Sequence, residues 1–426
     1  MKDKKIHFMG VGGAGCSAAF AIAGHCGFAV SGCDKEKESP YLDKKLRNFV
    51  SVGHSPEHTK DIDLLVYSPA ITAFDPNNEE IAEAQKKGIK VASWDEFVAN
   101  ELVKNKFVIA VAGTHGKGTV TAMVGTILEK AGFDPTCLVG GVVADWEKNY
   151  RVGGSKYFVI EADEYSEKLL RFKPSVAAIT NIEFDHPEYF KDFGQLQEVF
   201  AKFVANLGKG SVLIVGPGVD LINQSGETVI VKGPVNFDLK MIGEFNKTNA
   251  AVAIAVTKAV GVDETQSKRI LAQFNGLARR FEFIGEEKSV LVFDDYAHHP
   301  TAVSVTLKAA RERFPDRKIW LVFQPHLFSR TRVLFNDFVD SFSNSTADEI
   351  ILVDIFGSRE KDTGEVSSAD LVRTIGKEKA KYIPTLEEAA TYLVKEVSVG
   401  DVVITMGAGD IYKLPRRLLE KLKGSG

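Results

Sequence analysis

The sequence predicts an α/β protein, and three observations carry that prediction. Short Val/Ile-rich runs alternate along the chain with longer stretches of helical periodicity. Two glycine-rich loops each follow such a run and open a helical pattern. Apolar residues make up 44% of the 426 residues and charged residues 26%, which is enough apolar matter for large cores. At about 150 residues per domain the length suits roughly three domains.

The runs, in order, are Lys5–Met9, 28–32, Phe107–Ala112, Tyr157–Glu161, 176–180, Val212–Val215, 289–293, Ile319–Phe323, 350–354 and Val402–Met406. Four to six consecutive apolar residues suit strands buried on both faces, the habit of parallel sheets covered by helices. A polar stretch at 100–105 precedes a fresh strand, and GLARR at 276–280 follows a long helical pattern and precedes another. The chain therefore divides into segments 1–104, 105–278 and 279–426. No repeat of solenoid length is present, and the closing GSG reads as a tail.

Lys plus Arg is 53 and Asp plus Glu is 57, a net charge of −4. No basic excess points to nucleic acid or to an anionic membrane. The start, MKDKKIHFMG, breaks at Gly10 and reads as no signal peptide. No window approaches the ~20 apolar residues of a membrane helix. Cys16, Cys26, Cys33 and Cys137 form no C-x-x-C pair, so zinc and a disulfide framework are not expected, and the thiols suit a reducing cytoplasm. Polyanionic ligands must then be held by glycine loops, helix N-termini, single cations or Mg²⁺.

The first loop is GVGGAG, in which Gly10, Gly12 and Gly15 fit G-x-G-x-x-G, with Asp34 at the end of the apparent second strand. This is the dinucleotide fingerprint in its required context. Its physics is backbone N–H groups and a helix dipole approaching a diphosphate. That serves NAD, a UDP-sugar or another nucleotide diphosphate equally, and a structural turn is the bland reading.

The second loop, AGTHGKGTVT, follows the strand Phe107–Ala112 and precedes a helix. Gly113 and Gly116 open backbone amides, and Lys117 offers a point charge to phosphates. The strict G-x-x-x-x-G-K-[ST] pattern is not met: Gly118 follows the lysine and Thr119 is the nearest hydroxyl. The bland reading is a glycine-rich turn with a solvated lysine.

Two acidic clusters follow strand ends. EADEY contributes Glu161, Asp163 and Glu164, and NIEFDHPEYF contributes Asn181, Asp185 and His186. Ligands of open parallel sheets bind at the carboxyl ends of strands, where a carboxylate and an imidazole can hold Mg²⁺. Glu161 is the better aimed carboxylate, and Asp163 and Glu164 read as solvated or structural. Asn246 and Asn249 open an Ala-rich helix; capping accounts for one of them, and two amides suit a purine. FDDYAHHPT and FQPHLFSRTR again follow strands and are dense in His, Arg and Asp. His298 and His299 beside Asp295 point apart on a helix start, so a metal is not expected there.

Taken in order, IHFMGVGGAGCS, SGCD, GHS, VYSPAI, GTHGKGT, EADEY, TNIEFDHPEYF, FNKTNAA, RRFE, DDYAHHPT, FQPHLFSRTR and TMGAGDIY resemble the Mur ligase family, the ATP-dependent amide-forming ligases of peptidoglycan precursor synthesis. The match runs from about Ile6 to Tyr412. The resemblance implies a Rossmann-like N-terminal domain binding a UDP-sugar, a P-loop ATPase-like central domain binding ATP, and a Rossmann-like C-terminal domain bringing the amino acid. It makes Gly12, Gly13, Asp34, His54 and Ser68 the UDP-sugar site. It makes Gly113, Thr114, His115, Gly116, Lys117, Gly118, Thr119, Asn246, Asn249, Arg280 and Asp295 the ATP contacts. Glu161 and His186, with Thr119 replacing the usual hydroxyl residue at 118, become the Mg²⁺ ligands. His326 and Arg330 become the amino-acid site, and Lys117, His186, His298 and Arg330 the catalytic set.

The implied reaction joins L-alanine to the lactyl carboxylate of UDP-N-acetylmuramate through an acyl phosphate, with ATP and Mg²⁺. The alternative within the family attaches a recycled tripeptide to the same nucleotide sugar. An NAD-dependent oxidoreductase built on the first loop is the alternative from another class, and it has no use for Lys117, Glu161 or the Asn pair. Leu327 departs from the arginine many members carry there, which leaves Arg330 more of the carboxylate recognition. The oligomeric state stays open.

Overall fold

The computed structural model describes residues 4–36, 38–358 and 360–424. The first three residues of the apolar start and the last two of the closing GSG lie outside the described residues. The chain divides into two compact units. The first holds the chain up to Glu183 together with 193–240 and 247–277; the second holds 184–192, 241–246 and the chain from Ala278 onward.

The first unit contains two sheets. Strands β1 (Lys5–Met9), β2 (Ala29–Asp34), β3 (Val50–Val52), β4 (Leu64–Tyr67) and β5 (Lys90–Ser93) pair in parallel in the order 3-2-1-4-5. This is the doubly wound order, whose switch point lies beside β1. The glycine loop after β1 opens helix Ala14–His25, buried over Cys16–Ala23. Gly15 is required for packing, because a Cβ there would overlap the indole of Trp94. That indole starts helix Trp94–Phe97, fixed by a capping box between Ser93 and Glu96.

The second sheet is built from β6 (Phe107–Ala112), β7 (Thr136–Val143), β8 (Lys148–Arg151), β9 (Tyr157–Glu161), β10 (Val176–Ile179), β11 (Val212–Val215) and β12 (Glu227–Ile230). The order is 12-11-10-6-9-7-8, parallel except for the β7–β8 edge. The first two sheets are stitched together by Asn149, whose amide donates to Ala14 O at 2.7 Å, and by Tyr150, whose hydroxyl donates to Asp43 at 2.9 Å.

The second unit carries β13 (Glu282–Glu287), β14 (Val290–Asp295), β15 (Ile319–Phe323), β16 (Glu349–Leu352), β17 (Ala380–Tyr382) and β18 (Val402–Met406), in the order 13-14-18-15-16-17. All pairs are parallel except β13–β14. Both faces of this sheet are buried, which explains its unbroken apolar runs. Ile319, Leu321 and Phe323 face one core, while Trp320 and Val322 alternate into the other. The Trp320 indole donates to Asp401 at 2.8 Å, so burial leaves no orphaned N–H.

Four expected strands shift: the run expected at 28–32 is Ala29–Asp34, and that expected at 176–180 ends at Ile179. The run expected at 289–293 begins at Val290, because Lys288 (φ +49°) and Ser289 (φ +60°) form the two-residue turn joining β13 to β14. Left-handed dihedrals at both central positions are what a tight hairpin needs. The run expected at 350–354 is 349–352, since pairing with β17 ends at Leu352↔Tyr382. Among the described residues no helix is long and apolar enough to cross a membrane.

Gly15→Ala is expected to destabilise the first unit by about 1–3 kcal/mol through overpacking against Trp94. Urea unfolding followed by Trp fluorescence checks it. An unchanged midpoint would show that the helix has room to move.

Candidate active site

The first unit presents two glycine loops. In the loop after β1, Gly10 is left-handed (φ +79°) and Gly13 occupies the N-cap of helix Ala14–His25. The Gly12 N–H donates to Asp34 Oδ2 at 2.7 Å, and Ser39 Oγ donates to Gly12 O at 2.6 Å. Ser68 begins helix Pro69–Phe74, and its Oγ lies 4.0 Å from where a Gly13 Cβ would stand. Gly12, Gly13, Asp34 and Ser68 therefore meet at one place. His54 faces Cys33, with Nδ1 3.2 Å from Sγ.

The second loop lies between β6 and helix Lys117–Lys130. Gly113 (φ +128°) and Gly116 (φ +80°) both need left-handed backbone. A Cβ at Gly113 would collide with Thr180 Oγ1, and one at Gly116 with Asn249 Oδ1. Side chains and backbone just past β10 hold the loop. Thr180 Oγ1 donates to His115 O at 2.6 Å, Asn181 Oδ1 accepts from His115 N at 2.9 Å, and His115 Nε2 lies 2.8 Å from Glu183 Oε2. Thr114 Oγ1 donates to Glu183 O and accepts from Glu183 N, at 2.8 and 2.9 Å. The backbone amides at the start of the helix make an anion-binding N-terminus.

Lys117 Nζ lies 2.8 Å from Glu164 Oε2, and the Glu164 side chain is only 1% exposed. Burial alone would lower the ammonium's pKa, but Glu164, Asp163 and Glu161 outweigh it and hold Lys117 above the ordinary lysine range. Glu164 is thus not solvated: it is the buried counter-ion of the loop lysine. Asp163 pairs with Lys168 at 2.9 Å. Glu161 ends β9 and accepts from Gly140 N at 2.6 Å. Gly118 has a physical reason in this chain, since a Cβ there would stand 3.1 Å from Glu161 Oε2. Thr119 is buried in the first turn of the helix.

The second unit gathers a different set. Arg330 is 2% exposed, and its Nε donates to Asp185 Oδ1 at 2.9 Å. Burial would raise the Asp185 carboxyl, but Arg330 above all, with the neighbouring imidazoles, holds it well below the usual range. Arg330 NH1 lies 3.2 Å from His326 Nδ1, and NH2 lies 3.5 Å from His186 Nδ1. His186 itself is left-handed (φ +58°), with Nδ1 3.1 Å from Glu188 Oε1. His298 places Nδ1 2.9 Å from the Tyr296 carbonyl. A carbonyl only accepts, so Nδ1 carries the proton and Nε2 is the acceptor. Burial first, then the Arg330 charge, holds the His298 imidazole well below its ordinary pKa, which favours the neutral ring. His299 caps helix Pro300–Arg313, its Nδ1 accepting from Thr301 N at 3.3 Å. Leu327, buried and left-handed (φ +70°), points no charge into this cluster.

The remaining predicted residues sit at the edges of these clusters. Asn246 donates to Ile242 O at 2.8 Å from the first turn of helix Glu244–Val260, and Asn249 lies three residues further along. The Asp295 carboxylate accepts from Phe281 N at 2.7 Å and from Ala297 N at 2.6 Å, so it shapes the loop that carries Arg280. Burial raises the Asp295 carboxyl against the opposing charge of Arg280. Arg279 was not anticipated. It pairs with Asp294 at 2.9 Å and lies over the Tyr296 and Tyr412 rings at 5.0 Å each. Glu183 and Thr180 were also not singled out, because each acts through a partner in the 114–115 loop, distant in sequence; Glu188 pairs with His186 two residues before it and carried no motif of its own.

A Rossmann-ordered sheet, a P-loop-like second sheet and a third mixed sheet with an Arg–His cluster define an ATP-ligase type of architecture. Profiles described as "Mur ligase family, catalytic domain", "Mur ligase middle domain" and "Mur ligase, glutamate ligase domain" match residues 5–105, 111–225 and 279–409. The UDP-N-acetylmuramate–L-alanine ligase of Alkaliphilus metalliredigens is 37% identical, over 98% of this chain and 97% of that protein. The protein of the same name from Clostridium tetani is 38% identical over 96% of each. The solved UDP-N-acetylmuramate–alanine ligase of Thermotoga maritima is 28% identical, covering 99% of this chain and 100% of its own, with a TM-score of 0.81. The chain belongs to the Mur ligase family.

Asp185→Asn is expected to destabilise the second unit by about 3–5 kcal/mol, because it leaves the Arg330 charge buried and unpaired. Since the folded-state carboxyl is depressed, its contribution is fully present above the unfolded value of about 3.9 and is lost as pH falls through the lower folded value. Urea melts from neutral into acid pH should show a shallower acid decline in Asp185→Asn than in the parent. Parallel curves would overturn the assignment.

Proposed function

We propose that this chain joins L-alanine to the lactyl carboxylate of UDP-N-acetylmuramate at the expense of ATP, in the cytoplasm. The observation that carries the reading is near-full-length identity of 37–38% to proteins that bear that activity as their name. Segment 1–104 takes the UDP-sugar, with Gly12, Gly13, Ser68, Asp34 and His54 about its diphosphate end. Segment 105–278 takes ATP, and segment 279–426 the amino acid.

The chemistry follows from residue types. A carboxylate is a poor electrophile, so it first takes the γ-phosphoryl group of ATP and becomes an acyl phosphate. The alanine amine then attacks the acyl carbon, and phosphate leaves. The amides from Gly113 to Thr119 cradle the phosphates, and Lys117 neutralises charge during transfer. The hard oxygen donors Thr119 and Glu161 suit Mg²⁺, which when bound supplies further charge neutralisation; the family resemblance adds His186. Asn246 and Asn249 serve the adenine, and Arg280, with Asp295 at the end of β14 holding its loop, completes the ATP contacts. Arg330 and His326 receive the amino-acid carboxylate. His298 is the better prepared base of the two imidazole candidates, because its neutral ring is favoured, with Nε2 as acceptor.

Phosphate release should require ATP, Mg²⁺, UDP-N-acetylmuramate and L-alanine together. Undiminished release without the sugar nucleotide would sink the reading, and release with the recycled tripeptide but not with L-alanine would move it to the other branch. Lys117→Met should lower kcat by about 10²–10³-fold. Thr119→Val keeps the side-chain volume and should raise the Mg²⁺ concentration for half-maximal rate about tenfold or more; an unchanged Mg²⁺ dependence would remove Thr119 from the ligand set.

A further inference from the structure

The first unit holds a second constellation that the ligase reading does not use. His7 on β1, Cys33 on β2, His58 in the 3₁₀ turn Pro56–Thr59 and Glu80 in helix Glu79–Lys86 converge so that one donor atom from each lies within 4.8 Å of the others. His7 Nε2 is 3.1 Å from Glu80 Oε1, His58 Nδ1 is 3.2 Å from Oε2, and Cys33 Sγ is 3.7 Å from Oε2. His7, Cys33 and Glu80 are 2%, 0% and 1% exposed.

We propose that these four side chains form a binding site for a thiophilic divalent cation of the zinc type. Zn–N and Zn–O bonds of about 2.0–2.1 Å and a Zn–S bond of about 2.3 Å give tetrahedral edges of about 3.3–3.6 Å. The separations from Glu80, 3.1 Å to Oε1 and 3.2 and 3.7 Å to Oε2, lie near that range, and with all four donors within 4.8 Å of one another the ligands would draw together to close on a cation. Two imidazoles, a thiolate and a carboxylate are a borderline-to-soft donor set, unlike the all-oxygen sets that Mg²⁺ and Ca²⁺ prefer.

Two further observations point to a ligand. His7 Nε2 is buried and aimed into the cluster, 3.1 Å from the Glu80 carboxylate. The other nitrogen of that ring, Nδ1, lies 2.8 Å from Ser31 Oγ. An outer partner of this kind is what orients a metal-binding imidazole. Glu80 is held in turn by the Ser55 N–H at 2.9 Å, and Cys33 is approached by His54 at 3.2 Å. On binding, the Cys33 S–H bond breaks, its proton leaves to solvent and an S–metal bond forms. The bound ion would fasten β1 and β2 to the 3₁₀ turn Pro56–Thr59 and the helix Glu79–Lys86.

The test uses the full chain, treated with chelator and titrated with Co²⁺ alone. One equivalent should give a thiolate-to-cobalt charge-transfer band with intense tetrahedral visible bands. Zn²⁺ should erase the bands and raise the melting temperature. Cys33→Ser should remove the charge-transfer band and weaken binding at least about tenfold, and Cys26→Ser, an exposed thiol outside the cluster, should change nothing. His58→Ala, at a partly exposed ligand, gives a second variant should Cys33→Ser fold poorly, and it should weaken Co²⁺ binding likewise. Absence of a thiolate band in the folded parent, or a band surviving Cys33→Ser, overturns the proposal. Neither result bears on phosphate release, so the ligase reading stands or falls separately.

Discussion

Parallel registration of β6 with β9 and β10 is the constraint on which the first unit's chemistry rests. Val111 pairs opposite Glu161, and Ala112 opposite Ile179. Because all three strands run the same way, their carboxyl ends finish at one sheet edge. The glycine loop, the Glu161 carboxylate and the Thr180–Asn181 clamp are neighbours for that reason alone. The second unit repeats the device: β14, β18 and β15 end together at Asp295, Met406 and Phe323, so the loops bearing His298 and Arg330 leave from the same edge.

Each unit then solves the same electrostatic problem in its own way. Each holds a buried cation, and a dry unpaired charge is costly. Lys117 is matched by Glu164 and Arg330 by Asp185. Asp294 and Asp295 show the opposite balance. Burial pushes both carboxyls up despite Arg279 and Arg280, and hydrogen bonds from Thr405, Phe281 and Ala297 hold them.

The sequence was most legible where burial on both faces writes a continuous apolar run. Lys5–Met9, Phe107–Ala112, Tyr157–Glu161, Val212–Val215, Ile319–Phe323 and Val402–Met406 are read to the residue. It was least legible at edges such as KNYR, where β8 carries no such run and pairs antiparallel with β7. The glycine loops, Lys117 and Glu161 were readable because strand, loop and helix are consecutive. Glu164 was undervalued, since its partner is 47 residues away. The His7–Cys33–His58–Glu80 cluster escaped a search for C-x-x-C spacing because its members come from four segments spread over more than seventy residues. Periodicity reports local structure; it says nothing of which distant side chains a crossover will bring face to face.

The Lys117–Glu164 pair also sets a threshold for admission. The lysine that would greet a phosphate is already engaged by an internal anion, so an incoming group must outcompete a carboxylate that is tethered and buried. A singly charged anion offers no more than Glu164 does. On the proposed role of this loop, a polyphosphate, carrying several charges and meeting the helix amides at the same time, would be the ligand able to displace Glu164. On the proposed role of Lys117, the loop would favour ligands of high charge density over small singly charged anions.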